Sequence, residues 1–143
     1  MRDNSFLAER LDQIWKFLFP ELERKNNVVI RFKGNWKNKF GHIKLLRNKD
    51  TEIVINGFFK NEAIPDYIID LTIAHELIHY MHGFNSPYEK RFRYPHQGNI
   101  VDKELVKRGF GEMLRKEKEF IKEEWPIIVK ENFKPRKYSF RFF

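Results

Sequence analysis

A chain of 143 residues with 41% hydrophobic and 16% aromatic side chains is long enough to bury one core and too apolar to be a disordered chain. Its formal charge of +8 is compatible with contact to DNA or another polyanion, although many soluble proteins share it, and the absence of cysteine excludes disulfides, thiolate metal sites and thiol catalysis. The first residues lack the apolar run of a secretory leader and no stretch approaches about 18 apolar residues, so the expectation is a soluble, intracellular (cytoplasmic) protein without a membrane partner.

Residues 5–19 place Phe6, Leu7, Leu11, Ile14, Trp15 and Leu18 at helical spacing, and Pro20 stops the pattern, which predicts an amphipathic helix. Residues 27–33 alternate Val28, Ile30 and Phe32 against Val29, Arg31 and Lys33, as a strand with one wet face does. After a turn-rich stretch at 34–39, residues 40–46 and 52–56 read as two more short strands. The expected class is α+β, with three strands in an antiparallel meander and helices on one face. Residues 64–83 form a longer helical pattern: Pro65 opens it, Asp66 and Asp70 suit its positive end, Tyr67, Ile68, Leu71, Ala74, Ile78 and Met81 recur at three and four, and Gly83 closes it. Residues 84–99, with Pro87, Pro95 and Gly98, carry no sustained period and read as a loop. Residues 100–125 then predict one long charged helix ended by Pro126, its seven basic and seven acidic residues forming a solvated face. The basic excess lies elsewhere: residues 21–50 carry nine Lys or Arg against three acids, and residues 126–143 five against one. Without repeats or linkers, 1–143 reads as one domain with a basic aromatic tail at 126–143.

Inside the second predicted helix, residues 75–79 read His-Glu-Leu-Ile-His. A chain of this composition would contain that pattern by chance about once in 60, so its context decides what it is worth. On a helix the two histidines share a face with Cβ atoms about 5–6 Å apart. Both imidazoles can then reach one Zn²⁺, and Glu76 stands beside the metal without binding it, where a carboxylate can take a proton from water. A buried helix carrying two histidines and a glutamate needs a reason for them.

A catalytic zinc site takes three protein ligands and a water. Candidates for the third are His82, Glu89, His96, Asp102 and Glu104. His82 lies nearly two turns beyond His75, about 10 Å along the axis, too far to join a site centred between 75 and 79. His96 follows Pro95 in a loop that can return to the metal, and Glu104 on the following helix is the alternative.

The strand at 51–56, the helix ending Leu71-Thr-Ile-Ala-His-Glu-Leu-Ile-His79 and the loop His96-Gln-Gly98 resemble the SprT-like (Spartan-type) zinc metalloproteases over residues 5–110. The resemblance implies a zincin-like fold, zinc held by His75, His79 and His96, and Glu76 as catalytic base. It also implies a protein or peptide substrate bound to, or crosslinked on, DNA. The chain departs from the family in lacking an aromatic just after His96 and a cysteine zinc ribbon, so any DNA contact falls to Lys and Arg surfaces. Two other readings stand beside it: a small gluzincin with Glu104 as third ligand, and a nucleic-acid-binding module whose zinc is structural or vestigial. A metzincin is excluded because that pattern needs Gly at 82 and His at 85, where the chain has His82 and Asn85.

Residues 52–56 are the expected sheet edge for an extended substrate, and Tyr80, His82, Tyr88 and Tyr94 are candidate donors to a developing oxyanion. The tail, with five aromatics and four basic residues at 132–143, has three open readings: docked on the body, stacked on nucleic acid, or laid over the cleft as a lid.

Overall fold

The computed structural model describes residues 1–133. Helix α1 (Asn4–Leu18) begins where the Asp3 side chain accepts a hydrogen bond from the Phe6 amide at 2.9 Å, a normal cap for an exposed helix start. It buries Leu7, Leu11, Ile14 and Trp15, the apolar positions that predicted it. Strands β1 (Val28–Lys33), β2 (Gly41–Leu45) and β3 (Thr51–Asn56) follow, then helix α2 (Asp66–Met81).

The class is α+β, but the sheet is neither fully antiparallel nor a meander. Its order is β1-β3-β2: β3 pairs parallel with β1, Ile30 opposite Ile53, and antiparallel with β2, Ile43 opposite Ile53. A meander would put β2 in the centre. The reason it does not lies in burial: all six residues of β3 are buried, whereas β2 ends in the exposed pair Lys44 and Leu45. A strand covered on both faces belongs inside the sheet, and a half-wet one at its edge. β3 therefore has no free edge, which corrects the expectation that residues 52–56 receive a substrate strand. Among the described strands the free edge beside α2 is that of β2.

Helix α2 touches the sheet, α1 and the later helices at once. Its start is pinned by Arg2, which donates to the carbonyls of Phe59 and Ile64 and pairs with Asp66, and by the Arg10–Asp70 ion pair. It meets β2 closely at Gly41, where a Cβ would stand 2.7 Å from the Val54 carbonyl oxygen and 2.8 Å from Thr72 Cγ2. Glycine is what lets the edge strand lie against the helix there.

The long helix expected at 100–125 is three pieces. Helix α3 (Ile100–Lys107) ends in a left-handed turn at Gly109, φ +94°, with the Phe110 amide donating to the Leu105 carbonyl at 2.9 Å. Helix α4 (Gly111–Glu119) runs through a π turn at Phe120–Glu124 into α5 (Trp125–Asn132). Pro126 therefore does not end the helix. The wider turn before it accommodates a residue that has no amide hydrogen to give. Of the tail at 126–143, residues up to Asn132 are helix and Phe133 packs on Phe58 and Trp125. Residues 134–143 lie outside the described residues, and so does the choice among the docked, nucleic-acid and lid readings of the tail. No helix among the described residues is long and apolar enough to cross a membrane.

At the end of α2 the chain reverses through Gly83, φ +84°, with the Phe84 amide donating to the His79 carbonyl at 3.0 Å. A Cβ on Gly83 would stand 2.4 Å from the Glu89 carbonyl oxygen, so both conformation and space require glycine. Gly83→Ala should cost about 2 kcal/mol or more of unfolding free energy, read as a lower denaturation midpoint. A change within about 0.5 kcal/mol would contradict this account of the turn.

Candidate metal centre

His75 and His79 lie one turn apart on α2, with ring centroids 4.8 Å apart. The bonds that tie the loop at 84–99 to the body include Thr51 Oγ1 to the Asn85 carbonyl, Ser86 Oγ to the Tyr80 carbonyl, and the Arg91 amide to the His82 carbonyl, at 2.7–2.9 Å. Its last part is shaped by the Gln97 side chain, which accepts from the Tyr94 amide at 3.0 Å, and by successive left-handed residues Gly98 and Asn99. Between them His96 swings back over α2. Its Nε2 lies 3.1 Å from Nε2 of His75 and 3.1 Å from Nε2 of His79. Two nitrogens bound tetrahedrally to one metal at about 2.0–2.1 Å stand about 3.3 Å apart, so this spacing is that of ligands around a common ion. His79 is buried, His75 half-buried and His96 exposed, leaving the group open on the loop side.

The chemistry of the three rings fits a cation. Burial, reinforced by the neighbouring His96, drives His75 down to about 4, and burial with His75 and His96 beside it drives His79 down to about 3. Both are neutral at pH 7 and offer lone pairs to one point, an arrangement that repels itself unless a proton or a metal ion lies between. Imidazole nitrogens suit Zn, Cu, Fe or Ni rather than Mg or Ca. Phe84 stands edge-on to His79 at 6.1 Å and closes that side with a ring that cannot ligate.

Glu76 is 4% exposed, and burial pushes its carboxyl up to about 8, with Lys39 the one charge opposing the rise. It lines a cavity of about 320 Å³ that also reaches His75. The structure thus brings together His75, Glu76, His79 and His96. It does not bring Glu104, whose carboxylate accepts from Arg108 Nε at 2.8 Å while Arg108 also donates to the Leu18 carbonyl and pairs with Glu21. Glu89 is exposed and outside the group, and His82 is buried against Phe92 at 4.9 Å.

Of the oxyanion candidates, Tyr80 donates to Asn26 Oδ1 at 2.7 Å and accepts from the Lys25 amide, and Tyr88 donates to the Glu23 carbonyl at 2.7 Å. Both hydroxyls are therefore used in holding the 23–26 loop. Tyr94, 58% exposed and two residues before His96, is the tyrosine left near the cluster. Sequence reasoning missed the neighbours that come from far along the chain, Lys39, Gly41 and Glu117, because no motif spacing connects them to residues 75–79.

The chain matches no family model, no curated protein and no solved structure among those compared.

Two measurements follow from the geometry. His96→Ala should weaken metal binding by more than about 100-fold, beyond the 10- to 100-fold cost of losing an outer partner, while Glu104→Gln binds as the parent does; competition with a chromophoric chelator reads both. The reverse ranking would move the site to Glu104. For the metal-free protein, a carboxyl raised from its ordinary 4.5 to about 8 makes the native state bind more protons than the unfolded chain across that window, so stability is lost as pH rises through it. Glu76→Gln should therefore raise the metal-free melting temperature by several degrees above pH 8, with the gain shrinking towards pH 5.

Proposed function

We propose that the protein is a zinc-dependent endopeptidase in which Glu76 is the general base. The observation that carries this reading is the convergence of three imidazoles on one point, with a buried, protonation-shifted carboxyl from the intervening residue of the same helix. His75, His79 and His96 would hold the zinc, which supplies a lowered water pKa and a polarised scissile carbonyl. Glu76 stands in sequence between two of these histidines and lines the cavity that reaches His75, where it would take a proton and return it to the leaving amine. Its raised pKa suits that second task, since a carboxyl that holds a proton near neutrality can also give it up. The free edge of β2, beside α2 at Gly41, can receive an extended peptide as an added strand. A SprT-like, zincin-like relationship is supported by these parts and by the order strand, motif helix, loop histidine.

Proteins associated with DNA are the substrates we propose. The support is a surface strip of Lys33, Lys37, Lys39, Lys44, Arg47 and Lys49, all exposed, on the end of β1, the loop to β2, β2 itself and the hairpin turn. None of the six pairs with an acid among the described residues, whereas Arg31 in the same stretch is paired with Glu52 at 2.9 Å. Exposed, unpaired cations of this kind contact phosphates and give salt-dependent binding. The same strip favours the second reading, a nucleic-acid-binding module whose metal is structural.

The decisive experiment is cleavage of an unstructured protein by zinc-loaded chain, with and without single-stranded DNA. We expect about one zinc per chain, turnover that DNA increases, and loss of at least about 1,000-fold in Glu76→Gln with the zinc retained. Turnover surviving in Glu76→Gln would sink the proposed mechanism. Zinc and DNA binding with no turnover in any condition would establish the second reading instead.

A further inference from the structure

Next to the histidine cluster the cleft deepens into the cavity of about 320 Å³ between α2, α3 and α4. Its size is at the lower end of ligand pockets, room for one long side chain rather than a cofactor. Leu71, Leu105, Leu114 and Ile121 give it apolar walls, and Phe40, which precedes the β2 edge, stands at one side. Glu76, buried and without a side-chain hydrogen-bond partner among the described residues, also lines it. Whatever occupies this space touches the proposed catalytic base.

Two more carboxylates face the same space, Asp102 from α3 and Glu117 from α4. The acids of these helices that form ion pairs are Glu104, Glu112 and Glu119, which leaves Asp102 and Glu117 without a cationic partner among the described residues. Glu117 is half-buried, and burial together with the negative charge of Asp102 pushes it up to about 7. Lys118 also lines the cavity and opposes that rise, but it is exposed to solvent and forms no ion pair with either carboxylate among the described residues. Burial and the nearby Asp102 charge disfavour the charged form of Glu117, a cost that a cation entering the same space would offset. A second metal is not the fitting guest: the described residues hold one three-ligand group, the histidines.

We propose that this cavity is a specificity subsite for a lysine or arginine side chain of the substrate, flanking the scissile bond, with Glu117 as the specificity-determining carboxylate and Asp102 assisting. The inference rests on the endopeptidase reading for the scissile bond, but not for the recognition itself. A basic side chain matches both parts of the cavity, its methylene stem against the leucines and its charged head on the carboxylates. It also matches the basic surface strip, because proteins that neutralise DNA phosphates are rich in lysine and arginine.

The test uses peptides with one internal Lys and the same peptides with Met there, an unbranched side chain of similar length without charge. Zinc-loaded protein should cleave the Lys peptides with kcat/KM at least about tenfold higher, always with Lys at one fixed position beside the cut bond. Glu117→Gln should bring the Lys-to-Met ratio close to one, and Glu117→Lys should bring it below one. Glu119→Gln, on the exposed face of α4, should leave the ratio unchanged. A ratio that stays high in Glu117→Gln overturns the subsite while leaving the endopeptidase standing. Calorimetric binding of the same peptides to metal-free protein decides the subsite even without turnover. Tighter binding of Lys than Met that disappears in Glu117→Gln supports it, and equal affinity in the parent protein overturns it.

Discussion

The structure depends on the burial of α2. Twelve of its sixteen residues are buried, so it is not an amphipathic helix resting on a core but the axis around which the core forms. Apolar burial at about 25 cal/mol per Å² gives that position its stability, and it is held in place at both ends: Arg2 and Arg10 grip Asp66 and Asp70, and the glycine turn at Gly83 reverses the chain. Everything distinctive about the site follows from putting two histidines and a glutamate on such a helix. On a surface helix the same residues would be solvated and would keep ordinary pKa values. Here desolvation holds both imidazoles neutral and raises the carboxyl, the protonation states in which metal ligands and a proton carrier are useful.

That arrangement costs stability in the metal-free chain. A buried carboxyl and converging lone pairs oppose folding unless something compensates, and a cation bound by the three rings is the compensation the geometry allows. Folding and metal binding are then linked through one helix. The loop at 84–99 is the element that completes the link, because its hydrogen bonds to Thr51, Tyr80 and His82 bring His96 to within 3.1 Å of both motif histidines.

The order β1-β3-β2 gives the cleft its second wall. By taking the central place, the fully buried β3 leaves β2 at the edge, and Gly41 lets that edge lie against α2. The break at Gly109 has a similar effect on the other side. One unbroken helix at 100–125 would run straight past the motif helix, whereas the turn folds α4 back so that Asp102 and Glu117 face one cavity with Glu76.

What could be read from the chain alone was whatever is written in local spacing. The four-residue interval of His75 and His79, the apolar period of residues 64–83, the alternation at 28–33 and the helix at 4–18 are all short-range patterns imposed by the geometry of one turn or one pleat. His96 was legible as the favoured third ligand because a proline and a glycine flank it, with Glu104 the alternative, and the structure separates the two by setting His96 Nε2 3.1 Å from both motif histidines and Glu104 on Arg108. The strand order, the break at Gly109, the absorption of Pro126 by a π turn and the cavity carboxylates were not legible. Each is decided by which surfaces compete for burial once the chain has collapsed, a comparison among residues far apart in sequence. Local chemistry therefore determined that this chain can present a metal-binding helix, and tertiary packing decided which third side chain meets it and which strand edge and cavity stand beside it.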